Sequence, residues 1–150
     1  MSVVIQVFLA GERMPAPEAW TAALRAHGFD ADLDTDFDVR DSTGFRPCKY
    51  EGHDAGFEYY FEPAGPVLEA IDDSDELAES LREATVGRDS VVSFVTHADW
   101  REFATSAIAS GVLCAISDGV LVDDRVISAS AAIAWAKECE RIVQAKLRAG

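Results

Sequence analysis

Asp30-Ala31-Asp32-Leu33-Asp34-Thr35-Asp36-Phe37-Asp38-Val39 sets a carboxylate at every second position, with Ala, Leu, Thr, Phe or Val between. Side chains of an extended chain point alternately to opposite faces, so this period of two predicts a strand with one apolar and one carboxylate face. Ser42-Thr43-Gly44 turns the chain into a second extended stretch, Phe45 to Glu51, which Pro47 marks as an edge or bulged strand. Gly52 to Gly56 has the composition of a hairpin loop. Phe57 to Glu62 then alternates again, with Phe57, Tyr59 and Phe61 on one side and Glu58, Tyr60 and Glu62 on the other. The three runs read as an antiparallel meander with one face in water.

Outside this meander the pattern changes to strand followed by helix. Val3 to Leu9 is a β-branched and aromatic run, read as a buried strand. Pro15 and Pro17 open a helix that carries Trp20, Ala23, Leu24 and His27 on one face and is capped by Gly28. Pro63 to Pro66 ends the meander, and Asp73-Ser74-Asp75-Glu76 reads as a helix start with Leu77 and Leu81 inward. Ser90 to Thr96 is a strand feeding a helix over Ala98 to Ile116, with Thr96 and Asp99 at capping-box spacing. Trp100, Phe103, Ala104, Ala107 and Ile108 form the buried stripe of that helix, and Gly111 permits close packing. Val120 to Val122 and Val126-Ile127 make a hairpin. Ser128 or Ser130 caps a last helix that buries Ile133, Cys139, Ile142, Val143 and Leu147. The expectation is a single α+β domain with an antiparallel or mixed sheet and helices on one face. Its halves, roughly 1–86 and 87–150, read as two interlocked βαββ units.

At 49% hydrophobic and 27% charged residues, the 150-residue chain is neither disordered, collagen-like nor a disulfide miniature. The net charge is −14. Residues 1–62 hold 12 acids and 5 bases, 63–99 hold 9 and 2, and 100–150 hold 6 of each, so the excess lies in the first two thirds. Nucleic acid and anionic membrane surfaces repel such a chain, whereas a basic protein or a cation matches its sign. Cys48, Cys114 and Cys139 contain no C-x-x-C spacing, which excludes a zinc knuckle or a dithiol redox motif and fits a reduced, cytoplasmic setting. The N-terminus lacks the basic region of a signal peptide. The longest uncharged run, Phe103 to Ser117, is too short to cross a bilayer.

The aspartate alternation is the first candidate site. Like charges packed along one strand face destabilise it, so the row is either a solubilising guard or a surface for a basic partner. Asp30, Asp32, Asp34, Asp36, Asp38 and Asp41 also fall at positions 1, 3, 5, 7, 9 and 12 of a calcium loop. Thr35 replaces the required glycine, and Asp41 replaces the bidentate glutamate. His97-Ala98-Asp99, where a strand meets a helix, offers either a general base with its acid or a plain helix cap. His53-Asp54 is a polar loop tip. A metal site of His53, His97 and Asp99, and a Cys48–His53 thiol pair, complete the chemistry available. No phosphate-loop, dinucleotide, zinc-protease or serine-hydrolase motif occurs, and no cofactor is expected. Among the aromatics, Tyr50, Tyr59, Trp20, Trp100 and Trp135 read as core. Tyr60, flanked by acids on the outward side, reads as an interface anchor.

Ser90 to Ala136, with its strand, its small-residue helix and its Asp118-Gly119-Val120 turn, resembles small acidic immunity proteins encoded beside bacterial toxins. The resemblance implies tight binding to one cognate toxin, often by covering a basic active site. The expectation is therefore a non-enzymatic interaction protein that presents Asp32, Asp34, Asp36, Asp38, Glu58, Tyr60 and Glu62 to Lys or Arg. The alternative is a small-molecule binder or minor enzyme with its pocket between the halves, His97 and Asp99 at its rim and Tyr59 or Trp100 lining it.

Overall fold

Val3–Leu9 (β1) and Ser90–Thr96 (β5) lie side by side, antiparallel, at the centre of a seven-stranded sheet. The computed structural model describes residues 2–150. Between these strands the chain forms Pro17–Ala26 (α1), Ala31–Leu33 (β2), Gly44–Tyr50 (β3), His53–Pro63 (β4), Ala64–Glu69 (α2) and Ala78–Ala84 (α3). After β5 come Trp100–Ile116 (α4), Val120–Val122 (β6), Val126–Ser128 (β7) and Ala129–Ala149 (α5). The strand order is β2-β3-β4-β5-β1-β6-β7, antiparallel at every pairing. The strands that follow β1 in the chain lie beyond β5, and those that follow β5 lie beyond β1. The two halves are thus interlocked within one α+β sheet.

Alternation decides which side chains enter the core. Ile5, Val7 and Leu9, with Val92 and Phe94, point to the face covered by α1, α4 and α5. Trp20 packs there against Phe94 and Tyr59, at ring-centroid distances of 6.0 and 6.3 Å, and its indole N–H donates to the Ala109 carbonyl at 3.0 Å. Full burial of a side chain of Phe size stabilises by roughly 1.5–3 kcal/mol, so this aromatic group is a large part of the core. α4 runs against α5 so closely that a Cβ on Gly111 would sit 2.7 Å from that of Ala136. The other sheet face carries a smaller apolar cluster, Phe8, Val91 and Val120 with Ala64 and Leu81, beneath α2 and α3. The rest of that face is bare.

Several sequence expectations need correction. The strand expected over Asp30 to Val39 pairs only through Ala31, Asp32 and Leu33. Beyond Leu33 the aspartates bond their own backbone. Asp34 Oδ1 accepts from the Asp36 N–H at 3.0 Å, and Asp38 Oδ1 accepts from Arg40 N–H at 2.9 Å and Asp41 N–H at 3.1 Å. These turns compete with the ladder and win. The apolar partners still turn inward: the Phe37 ring meets Tyr59 edge-on at 5.5 Å, and the Val39 carbonyl accepts the Tyr59 hydroxyl.

The expected 52–56 loop is mostly strand, because the turn is a tight one at Glu51 and Gly52, both with positive φ (51° and 79°). Pro63 to Pro66 runs into α2 instead of merely ending the meander, and Asp73–Glu76 lies in the connection ahead of α3. α4 starts at Trp100, where Asp99 alone caps it by accepting the Arg101 and Glu102 N–H groups, while Thr96 stays in β5. Trp100 and Ile142, expected in the core, are 43% and 39% exposed.

Candidate functional site

The bare face of the sheet is built by the residues that alternate away from the core. Register places Phe45 beside Glu58, Glu58 beside Val95, and Val95 beside Val4. The next row is Tyr60, Ser93, Gln6 and Val122. Phe45 and Val4 are 49% and 47% exposed at the two ends of the first row, with Glu58 and the half-buried Val95 between them.

Beyond the end of β5, the paired ends of β3 and β4 continue outward, and β2 lies alongside β3. Here a cleft of about 540 Å³ opens, with Phe45, Pro47 and Lys49 from β3, Asp54 from β4, Asp34 after β2, and Glu102 from the first turn of α4. Leu33, Cys48 and Ala55 also line it. Gly56 makes the Phe45 wall possible. A Cβ there would lie 2.5 Å from the Phe45 ring and 2.4 Å from the Arg46 carbonyl oxygen, and its φ is +147°. Only glycine lets the ring lie across β4.

The seven predicted residues fall into three groups. Asp32 and Asp34 line the cleft. Asp32 is already held by Arg25, whose Nε and Nη2 donate to it at 3.0 and 2.5 Å, and Arg25 also reaches Asp30 at 3.1 Å. Asp36 and Asp38 leave the sheet with the loop, so a single five-aspartate face does not form. Asp34, Asp36, Asp38 and Asp41 have no ion-pair partner among the described residues. Glu58, Tyr60 and Glu62 are together on the outward side of β4, with Glu62 exposed.

Glu58 sits at the centre of a hydrogen-bonded chain. The Tyr60 hydroxyl donates to Glu58 Oε1 at 2.7 Å, His97 Nε2 lies 2.6 Å from Glu58 Oε2, and the Ser2 hydroxyl lies 3.1 Å from His97 Nδ1. The Tyr60 hydroxyl first, then His97, holds the Glu58 carboxyl below the usual range, and the same bond pushes the Tyr60 phenol up. The order serine, histidine, carboxylate is that of a nucleophilic relay. The imidazole is 59% exposed, however, and Asp99 already holds two of the α4 first-turn N–H groups that an oxyanion would need. The arrangement therefore orients Glu58 and Tyr60 without activating Ser2.

Other sequence candidates are not assembled. Asp99 is the α4 cap. Tyr59 is fully buried, whereas Trp100 lines a groove of about 290 Å³ with Val3, His97, Ala98 and Phe103. Among the described residues no group of three ligands could hold a metal, so neither the calcium loop nor the His53–His97–Asp99 site forms. Burial pushes the Cys48 and Cys114 thiols up to about 12 and Cys139 to about 11, which leaves Cys48 no nucleophile.

Glu102 is the residue that the sequence reading missed. In the first turn of a helix an acid passes as a complement to the helix dipole. Here it is half-buried without an ion-pair partner among the described residues, and burial, then Asp99, raises its carboxyl above the ordinary value. No helix of the described residues is long and apolar enough to cross a membrane. No family model, no curated protein and no solved structure matches the chain significantly.

Proposed function

We propose that this chain is a non-enzymatic, acidic interaction protein that binds a basic protein through the outward side of its sheet and the acidic 34–41 loop. One observation carries the reading: Phe45 and Val4 are exposed on the outward face of the sheet with Glu58, Tyr60 and Glu62 beside them, and Asp34, Asp36, Asp38, Asp41 and Glu62 have no ion-pair partner among the described residues. Aromatic anchors with a charged rim are the usual composition of a protein interface, and single-sign charge accelerates encounter with the opposite sign. The net charge of −14 excludes the common anionic partners on the same ground. The resemblance to bacterial immunity proteins makes a cognate toxin the first partner to try, with inhibition by covering its basic site. Three buried free thiols fit a reducing compartment such as the cytoplasm.

The test is capture of a partner from the native host by the wild-type chain and by Asp34→Lys/Asp36→Lys. Loss of a basic partner in the double variant supports the reading, and equal retention at low salt contradicts it. The groove beside His97 favours a second reading, a small-molecule binder with Trp100 and Phe103 as its apolar wall. That reading gains if His97→Ala abolishes function while the aspartate changes leave it intact.

A further inference from the structure

Resting on the basic-partner reading, we infer that the cleft between Phe45 and Glu102 is the anchor pocket of the interface and receives one arginine side chain of the partner. Its shape and its charge both select that occupant. Leu33, Pro47 and Ala55 give the cleft apolar lining, which suits the three methylenes of an arginine stem. Phe45 lies with one side against Gly56, yet the residue stays 49% exposed, which leaves a ring face for a planar guanidinium. The protein already uses this contact elsewhere, with Arg46 over Phe37 and Arg40 over Phe61, each 5.8 Å from the ring centroid.

Four carboxylates line the cleft against one ammonium, Lys49. Two of them are occupied, Asp32 by Arg25 and Asp54 by Lys49. Among the described residues, Asp34 and Glu102 are the two left without a cation. A guanidinium presents five N–H donors in a flat fork and can donate to two carboxylates at once, which a lysine ammonium does with less geometric fit. A half-buried carboxylate that lacks a counter-ion costs the fold stability until a cation arrives, so Glu102 gains most from the occupant.

The probe is N-acetyl-arginine-N-methylamide, titrated into the full ¹⁵N-labelled chain and followed by amide chemical shifts. Its citrulline analogue, of the same shape without the charge, is the control. The arginine probe should shift the amides of Asp34, Phe45, Lys49, Ala55 and Glu102 in a saturable way, and the citrulline probe should not. Glu102→Gln should weaken the arginine response about tenfold, the loss of one charge-assisted bond. Phe45→Ala should weaken it too, and Lys49→Ala, which frees Asp54, should tighten it. Thermal unfolding of each variant confirms that it is folded. Equal response to citrulline, shifts scattered over the acidic loops, or an unchanged response in Glu102→Gln would overturn the pocket. If the probe fails while a basic partner still binds, the pocket falls and the broader reading stands. If the probe binds while no basic protein associates, the interaction reading falls and the pocket stands.

Discussion

Tyr59→Phe removes one oxygen atom and tests how the 34–43 loop is held. The Tyr59 ring is buried among Trp20, Phe94 and Phe37, with centroid distances of 6.3, 6.1 and 5.5 Å, and phenylalanine keeps all three contacts. What disappears is the hydroxyl that donates to the Val39 carbonyl. A neutral hydrogen bond contributes about 1 kcal/mol net, and leaving a half-buried carbonyl without its donor adds part of a further 1–3 kcal/mol. The sum is about 2 kcal/mol, equivalent to roughly 4–8 °C in Tm for a chain of this size. Chemical denaturation gives the global value, and amide hydrogen exchange gives the local one. Amides of Asp38, Arg40, Asp41 and Ser42, which bond within the loop, should lose protection beyond the global change. A variant within about 0.5 kcal/mol of wild type with loop protection intact would refute the reasoning, because the loop would then be held by something other than this tether.

Gly111→Val pushes a branched side chain into Ala136 Cβ at 2.7 Å and the Ala132 carbonyl at 3.0 Å, and should cost about 2 kcal/mol in urea unfolding through overpacking of α4 on α5. A neutral result would mean that the two helices are further apart. Glu102 titrates above its unfolded value, so its contribution to stability is present at acid pH and is lost as pH rises through the folded value. Glu102→Gln should therefore raise Tm at about pH 7 and have little effect at about pH 3, where both side chains are neutral; a lowered Tm at the higher pH contradicts this. All three tyrosines are pushed above the ordinary range, Tyr50 and Tyr59 chiefly by burial and Tyr60 by Glu58. In absorbance titration at alkaline pH, Glu58→Gln should bring one tyrosine, Tyr60, back toward its usual value and leave the other two, and movement of a buried tyrosine instead would contradict the Glu58–Tyr60 bond.

Much of the fold was readable where hydrophobic period and turn chemistry agree. β1, β5 and the alternation of Phe57 to Glu62 appear as expected, and the small residues around Gly111 mark the closest helix contact. The aspartate run misled because period two reports which side chains face the core, not which hydrogen bonds hold the backbone. Phe37 and Val39 do face inward, as the period says. The strand fails because an aspartate two or three residues back is a better local acceptor than a neighbouring strand. α2 was hidden by Pro63 and Pro66, since prolines that end a strand are equally suited to the start of a helix.

The site was legible only in part. Glu58, Tyr60 and Glu62 are consecutive outward positions of one strand, so alternation finds them. The contact of His97 with Glu58 spans 39 residues of sequence, and the Phe45–Glu102 cleft joins β3 to the first turn of α4. Neither follows from spacing along the chain. The Gly56 that seats the Phe45 ring has the sequence setting of a loop glycine, because nothing in its neighbours reveals a close approach.

Stopped-flow association with the captured basic partner, recorded over a range of ionic strength, addresses the interaction most directly. The rate for the wild-type chain should fall steeply as salt rises, and the Asp34→Lys/Asp36→Lys variant should associate far more slowly at low salt, with a flattened dependence. Equal rates for the two chains, or a wild-type rate indifferent to salt, would mean that the aspartates of the 34–41 loop play no part in recognition.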